Sequence, residues 1–537
     1  MQRLFIYFVL IFITISCANI SAPTGGERDI QPPEIDTTKA YTPNFKTNFQ
    51  EPAIILPFNE WIVLKDVSNQ VVISPPLEKP IDIKLKKRTV IIDFSKEQLR
   101  ENTTYTINFG EAIQDLNEGN FQKNFRYIFS TGPVIDSLEV RGNVVDALTE
   151  EPIADVLVVL YDDLTDSVIH KERPYYFAKT DETGRFTIPF VKQDTFKIFA
   201  LKDENANYKY DLPNEKIAFL DNNIITGDTN LVNPILRFFS QNPPLKIFRP
   251  KSPHYGYIPM IFNNENLKTV QITPLEPIKN LETQFYIEKD TLKYWYRNVD
   301  LDSISFVVTD NDILRDTIMV KLKSKESYLK TKPKMISKAS PTTLQINPDK
   351  PIKIKFNHLI GTIDTSKIRL LEDTSNIGVV PRIEIDTFLR NQLKIYYKWK
   401  ENKPYQLIFL DSSIYDFHQL TNDTIDFKYK VAERKTFGNV IATAEGLDVN
   451  TAYIIQVLTA ENLVIDSFYS KGKVKATKKF LSLPPKDYKL RIIIDENENG
   501  IWDTGNYPTA QPEKTVSNKD AVNLRANWEL DLKILLE

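Results

Sequence analysis

The sequence predicts an all-β chain built as a tandem of β-sandwiches, and three observations carry that expectation. The 537 residues include 32 Pro, 31 Phe and 24 Tyr against only 16 Gly, a composition of short strands closed by turns. Apolar and charged residues alternate strictly in several stretches, which puts one strand face in a core and the other in solvent. No stretch sustains a helical apolar period over four turns.

Taken in chain order, Ile81-Asp82-Ile83-Lys84-Leu85 is the first clear half-buried strand. Residues 90–94, 105–109 and 125–129 follow, and Ile352-Lys353-Ile354-Lys355-Phe356 and residues 393–397 repeat the pattern in the second half. A chain of this length exceeds what one core supports, so several domains are expected. An internal repeat orders them. Residues 99–109, with Asn102-Thr103-Thr104-Tyr105, and the following Ile113-Gln114-Asp115 return loosely as residues 399–409, with Asn402-Lys403-Pro404-Tyr405, and Ile414-Tyr415-Asp416. Residues 199–207 are echoed by 492–499, so the two halves share one order of elements, as serial modules do.

The amino terminus supplies an address. Arg3 forms a positive n-region, residues 4–15 an apolar h-region, and Ser16 precedes Cys17, the chain's one cysteine. The apolar run is short of the ~20 residues a membrane span needs. These residues resemble a bacterial lipoprotein signal peptide, with Thr14 where that class usually has Leu. The resemblance implies cleavage before Cys17 and lipidation of its sulfur and new amino terminus, a modification strong enough to anchor a protein by itself. Residues 18–30 then read as a tether, and Ala18 in place of Asp points to an outer-membrane lipoprotein, with the facing side open. A lipidated Cys17 leaves no thiol, which excludes disulfides, a catalytic cysteine and Cys-based zinc.

Two further resemblances assign modules. Residues 31–132, opening on Pro32-Pro33, containing the Asn102-Thr103-Thr104-Tyr105 strand and closing on Phe129-Ser130-Thr131-Gly132, resemble the bacterial Ig-like domain of S-layer (SbsA-type) proteins. The segment 133–244 carries Gly142-Asn143-Val144-Val145-Asp146, alternating Val156, Val158 and Leu160, and Thr180-Asp181-Glu182-Thr183-Gly184-Arg185-Phe186. It is similar to the prealbumin-like regulatory domain that accompanies some carboxypeptidases. Residues 333–432 and 433–537 resemble weaker second copies of the two modules, and 245–332 forms a strand-rich middle domain matching neither. The expected architecture is therefore a signal peptide (1–16), a lipidated tether (17–30) and five β domains, Ig-like and prealbumin-like sandwiches among them. Neither family brings a catalytic centre, so the resemblances imply a scaffold.

Ligand-like spacing occurs in two loops. Asp203, Asn205, Asn207 and Asp211, and again Asp495, Asn497, Asn499 and Asp503, occupy positions 1, 3, 5 and 9 of a calcium loop, with Gly500 at position 6 of the second. Oxygens on alternate residues can converge on one hard cation. Position 12, where a bidentate Glu belongs, is Asn214 or Asn506, and Tyr208 takes the glycine position of the first loop. The competing reading is that Asp and Asn cap their own backbone in Asx turns. Calcium is the single cofactor the sequence suggests, bound weakly, at ~0.1–1 mM as in extracellular modules.

The function classes that composition and motifs exclude are broad. A net charge of −3 with interspersed signs lacks the basic stripe of a nucleic-acid binder. The histidines, His170, His254, His358 and His418, are isolated from one another in sequence and form no HExxH-type pair. There is no G-x-S-x-G elbow, phosphate loop or dinucleotide fingerprint, so no enzyme is expected. The triplets Tyr175-Tyr176-Phe177 and Tyr294-Trp295-Tyr296 are expected to pack in cores, with an exposed aromatic platform as the alternative. The leading expectation is a non-enzymatic, membrane-anchored envelope scaffold or adhesion-type protein that meets an envelope protein or glycan. A carbohydrate- or peptide-binding accessory protein of an uptake or secretion complex is the alternative, and a hydrolase with an unrecognised site has no motif behind it.

Overall fold

The computed structural model describes residues 29–536 except 78, 80, 123–124, 206, 228–232, 327–336, 339–344 and 373–376. The proposed signal peptide and Cys17 lie outside the described residues. Secondary structure is almost entirely strand; the described α-helices are two four-residue turns, Val67–Gln70 and Val168–Lys171.

Strand positions follow the alternation to within a residue: Asp82–Lys86, Thr89–Asp93, Thr104–Asn108, Arg126–Ser130, Ile352–Phe356 and Gln392–Tyr396. Alternation alone did not decide burial. Asp82–Lys86 is a sheet edge beside Thr89–Asp93, and its Leu85 is exposed, whereas Val90 and Ile92 of the neighbouring strand are fully buried.

Among the described residues, five cores succeed one another along the chain and two further clusters lie where units meet. The first unit packs the sheets Ala53–Pro57/Thr89–Asp93/Asp82–Lys86 and Val72–Ser74/Thr104–Asn108/Arg126–Ser130 around Phe49, Phe94, Tyr105 and Phe129. A tyrosine corner braces it: the Arg100 N–H donates to Tyr105 Oη at 2.9 Å across a left-handed Asn102. The fourth unit repeats the device with the Lys400 N–H on Tyr405 Oη at 3.0 Å and Asn402 left-handed, so the sequence repeat is a structural one.

The second and fifth units share a different signature, a parallel pairing of first and last strands. Leu138–Asp146 lies parallel to Ile235–Ser240, and Gly438–Glu445 parallel to Glu529–Leu535. In the second unit the hairpin at residues 181–185 closes with Gly184 at φ 72° while Asp181 Oδ1 accepts from the Thr183 and Arg185 amides. The third unit is two three-stranded sheets around Ile258, Met260, Phe262, Tyr294 and Phe306.

The units do not lie as an open string. A hairpin-like loop of the fifth unit, residues 495–515, packs on the second. Trp502 and Tyr507 join a core of Tyr161, Phe199, Phe219 and Phe239, and the Tyr507 ring meets Phe219 at 5.0 Å and Phe199 at 5.4 Å. Gly505 makes the approach possible, because a Cβ there would sit 2.5 Å from the Phe239 ring. Thr504 Oγ1 donates to the Ser240 carbonyl, Gln511 Nε2 to Phe219 O, and Thr515 Oγ1 to Leu148 O.

Candidate functional site

Each Asp/Asn loop follows a long buried strand, Thr195–Leu201 in one case and Asp487–Asp495 in the other. The leading Asp caps the turn that leaves the strand. Asp203 accepts from the amides of Asn207 (3.1 Å) and Tyr208 (2.7 Å), and Asp495 from those of Asn499 (3.0 Å) and Gly500 (2.8 Å). Gly500 is left-handed at φ 74°; Tyr208 takes the same conformation at φ 64°, its ring set edge-on to Phe177. Packing thus holds a residue type that the turn disfavours.

All eight residues singled out by spacing come together, four in each loop. Asn205 and Asn207 donate their amide nitrogens to the Asp211 carboxylate, and Asn497 and Asn499 theirs to Asp503. Three of these amides have their Oδ1 held by a backbone N–H, that of Lys209 on Asn207, of Asn499 on Asn497 and of Ile501 on Asn499, which turns the nitrogens toward the carboxylate.

A glutamate stands beneath each loop, away from the position 12 that Asn214 and Asn506 occupy. Glu215 accepts from the amides of Glu204, Asp211 and Leu212, and Glu513 from those of Glu496 (2.9 Å) and Asp503 (3.0 Å). Both are buried beneath their loops. They stand twelve residues after Asp203 and eighteen after Asp495, a variable offset that a fixed calcium-loop template passes over. The shared signal was a glutamate beyond each loop's Pro-containing stretch. Burial, with Asp503 and Asp495 alongside, pushes the Glu513 carboxyl up to about 7. The second loop thus holds Asp495, Asn497, Asn499 and Asp503 on one turn, with Glu513 bonded beneath it. Among the described residues, no group of three or more His, Cys, Asp or Glu side chains alone is set to hold a metal.

The expectation of isolated histidines fails. His254, His358 and His418 surround the buried Trp295, their ring centroids 6.1, 5.8 and 6.0 Å from it, where the third and fourth units meet. His358 Nδ1 lies 2.7 Å from Asp416 Oδ2. Sequence separation hid this, since nothing local links positions 254, 358 and 418. His170 stands apart, in the second unit, near Tyr210 and Tyr507.

The aromatic triplets are core. All of Tyr175, Tyr176, Phe177, Tyr294, Trp295 and Tyr296 are buried, so neither triplet offers a stacking platform. A cleft of about 290 Å³ beside the histidines is lined by Glu282, Gln284, Arg297, Gly361 and Phe417. Its carboxylate is taken up by Arg297 and Asn298, which leaves no carboxylate pair for hydrolysis. Among the described residues, no helix is long and apolar enough to cross a membrane.

Residues 29–131 match the family of bacterial Ig-like domains. No curated protein matches the chain. Among solved structures, the major pilin subunit BcpA of Bacillus cereus is 10% identical over 74% of this chain and 99% of its own, with a TM-score of 0.14. Domains 1–6 of the surface-layer protein SbsC are 9% identical over 89% of this chain and 66% of theirs, with a TM-score of 0.15. The Bacillus anthracis TIE protein is 10% identical over 96% of this chain and 76% of its own, also at 0.15.

Proposed function

We propose that this protein is a non-enzymatic scaffold of the bacterial cell envelope, anchored to the outer membrane through lipidated Cys17, whose stacked β-sandwiches hold an envelope protein or glycan partner at a set distance. The observation that carries the reading is the closure of the fifth unit onto the second, with Tyr507 seated in a shared aromatic core. A chain that needed only to span distance has no use for that contact; a chain that holds a shape does. The Ig-like match over residues 29–131 and the burial of both aromatic triplets support it. The SbsA-type assignment of the first unit and the prealbumin-like assignment of the second and fifth belong to the same proposal. Burial of the triplets removes the feature that would have favoured the carbohydrate- or peptide-binding alternative.

Affinity capture from crosslinked membranes tests the scaffold. A specific envelope protein or glycan is expected on the full-length chain, and capture of nothing, with no glycan bound by the purified body, would sink the reading. Cys17→Ser tests the anchor: the variant is expected in the soluble fraction, and a variant still fully in the membrane pellet would refute lipidation at this residue.

The loops enter this reading as cation-stabilised staples, the second sitting at the root of the segment that clasps the second unit. With a Kd near 1 mM, ~10 mM calcium would add about 1.4 kcal/mol to the folded state, a rise of a few degrees in melting temperature. Asp495→Asn combined with Asp503→Asn should remove that rise. A wild-type melting curve indifferent to calcium and to chelator would leave the loops as plain Asx turns.

A further inference from the structure

We propose that the junction between the third and fourth units is an acid-sensitive joint, in which three histidines share a single buried carboxylate. This goes beyond the scaffold reading and does not rest on it.

The joint has an apolar centre and a ring of polar groups. Tyr286 and Trp295 of the third unit pack on Leu359 and Phe417 of the fourth. Tyr257 stacks on Trp295 at 4.4 Å, and His254 lies 5.7 Å from His358 across the interface. His418 folds back over Gly256 so closely that a Cβ there would fall 2.2 Å from its ring.

The charges that face this cluster are few, and most are already matched. Arg297 donates to the Phe417 carbonyl at 3.0 Å and to Glu282, its guanidinium 4.7 Å over the Phe417 ring. Glu288 pairs with Lys293 of its own unit and with Lys355 of the fourth. That leaves Asp416, which is fully buried. Its Oδ2 meets His358, and its Oδ1 already accepts the amides of His418 (2.8 Å) and Leu420 (2.7 Å). One carboxylate compensates one imidazolium. A second and a third protonated ring would bring more positive charge than that one carboxylate carries into an apolar interface, where burying charge is costly.

The internal repeat shows that the histidine belongs to the joint and not to the fold. Phe356-Asn357-His358-Leu359-Ile360 corresponds to Phe58-Asn59-Glu60-Trp61-Ile62 in the first unit, and Asp416 to Asp115. Asp115 caps its turn just as Asp416 does, accepting the amides of Glu118, Gly119 and Asn120. Where the first unit places a second acid, Glu60, whose carboxyl is pushed up by burial and by Asp115, the fourth places an imidazole.

The electrostatics run the same way. Burial pushes His418 down to about 4 against the opposing pull of Asp416, with His358 and His254 adding to the depression. His254 is lowered too, chiefly by burial. An exposed imidazole titrates near 6.5. Opening the joint therefore takes up protons between those values, so closure is at full strength above pH 6.5 and weakens as pH falls toward 4. At pH 5, His418 alone would weaken closure ~30-fold.

Distance measurement between spin labels on the full chain tests this. Labels at Glu265→Cys and Glu384→Cys report the two units, in a Cys17→Ser background that removes the native thiol. One narrow distance at pH 7.5 is expected to give way, reversibly, to a second, broad population by pH 5, with the closed-to-open ratio falling on the order of thirty-fold. His418→Gln should flatten that response, and His254→Gln serves the same purpose if the first variant does not fold. A wild-type distribution unchanged from pH 7.5 to 5 overturns the proposal. So does equal broadening between labels at Glu265→Cys and Asp302→Cys within the third unit, which would mean unfolding and not opening.

Discussion

Phe129→Ala is expected to melt the first unit far below the rest of the molecule, splitting one thermal profile into two. Phe129 is fully buried at the centre of an aromatic cluster, with ring centroids at 4.4 Å from Phe49, 5.2 Å from Tyr105, 5.7 Å from Phe94 and 6.2 Å from Tyr127. Truncating such a ring costs ~3–5 kcal/mol in lost transfer energy and residual cavity, and the aromatic pairs add to that. A domain of roughly 100 residues has only about 5–15 kcal/mol in hand. At ~4–8 °C per kcal/mol the first unit should melt at least ~12 °C early. Its contacts with the second unit, Thr103 and Arg100 on Tyr175, Leu77 O on Arg173 and Phe45 on Phe190, lie at the edge of that unit, so the second core should survive. Calorimetry showing a single transition within a few degrees of wild type would refute this placement of the core.

Tyr507→Ala is expected to release the fifth unit from the second without unfolding either. The ring packs edge-on against Phe199 and Phe219, and its hydroxyl donates to the Asp166 carbonyl. Burial pushes that hydroxyl's ionisation well above its usual range, as expected for a phenol held in an apolar seat. The ring is half-buried, so a loss of ~2 kcal/mol, below the ~3–5 of a fully buried aromatic, shifts a docking equilibrium about thirty-fold. Small-angle scattering should show a longer maximum dimension at an unchanged unfolding temperature of each unit. Unchanged scattering would mean that the remaining contacts, Trp502 and the Gln511 and Thr515 hydrogen bonds among them, suffice.

What was readable in advance was what acts over a few residues. Strand alternation located Ile352–Phe356 to the residue because a period of two states which face is buried. The Asp/Asn loops were readable because an Asx side chain bonds its own backbone two to five residues on. Glu215 and Glu513 were not, since they close their loops through space at two different offsets. The exposure of Leu85 has a related cause: alternation names a face but not whether a neighbouring sheet covers it.

Local rules alone make the chain all-β, mark the repeat of its modules and place hard oxygen donors in two loops; strand period and turn chemistry act over a few residues. The sequence also carries the Cys17 motif, which is chemical address and not fold. The meeting of His254, His358 and His418 around Trp295, and the return of Tyr507 onto Phe199 and Phe219, come from docking of folded units. The reason is physical. Secondary structure answers to periodic, local rules, whereas docking answers to the fit of two finished surfaces whose residues lie a hundred or more positions apart and share no period.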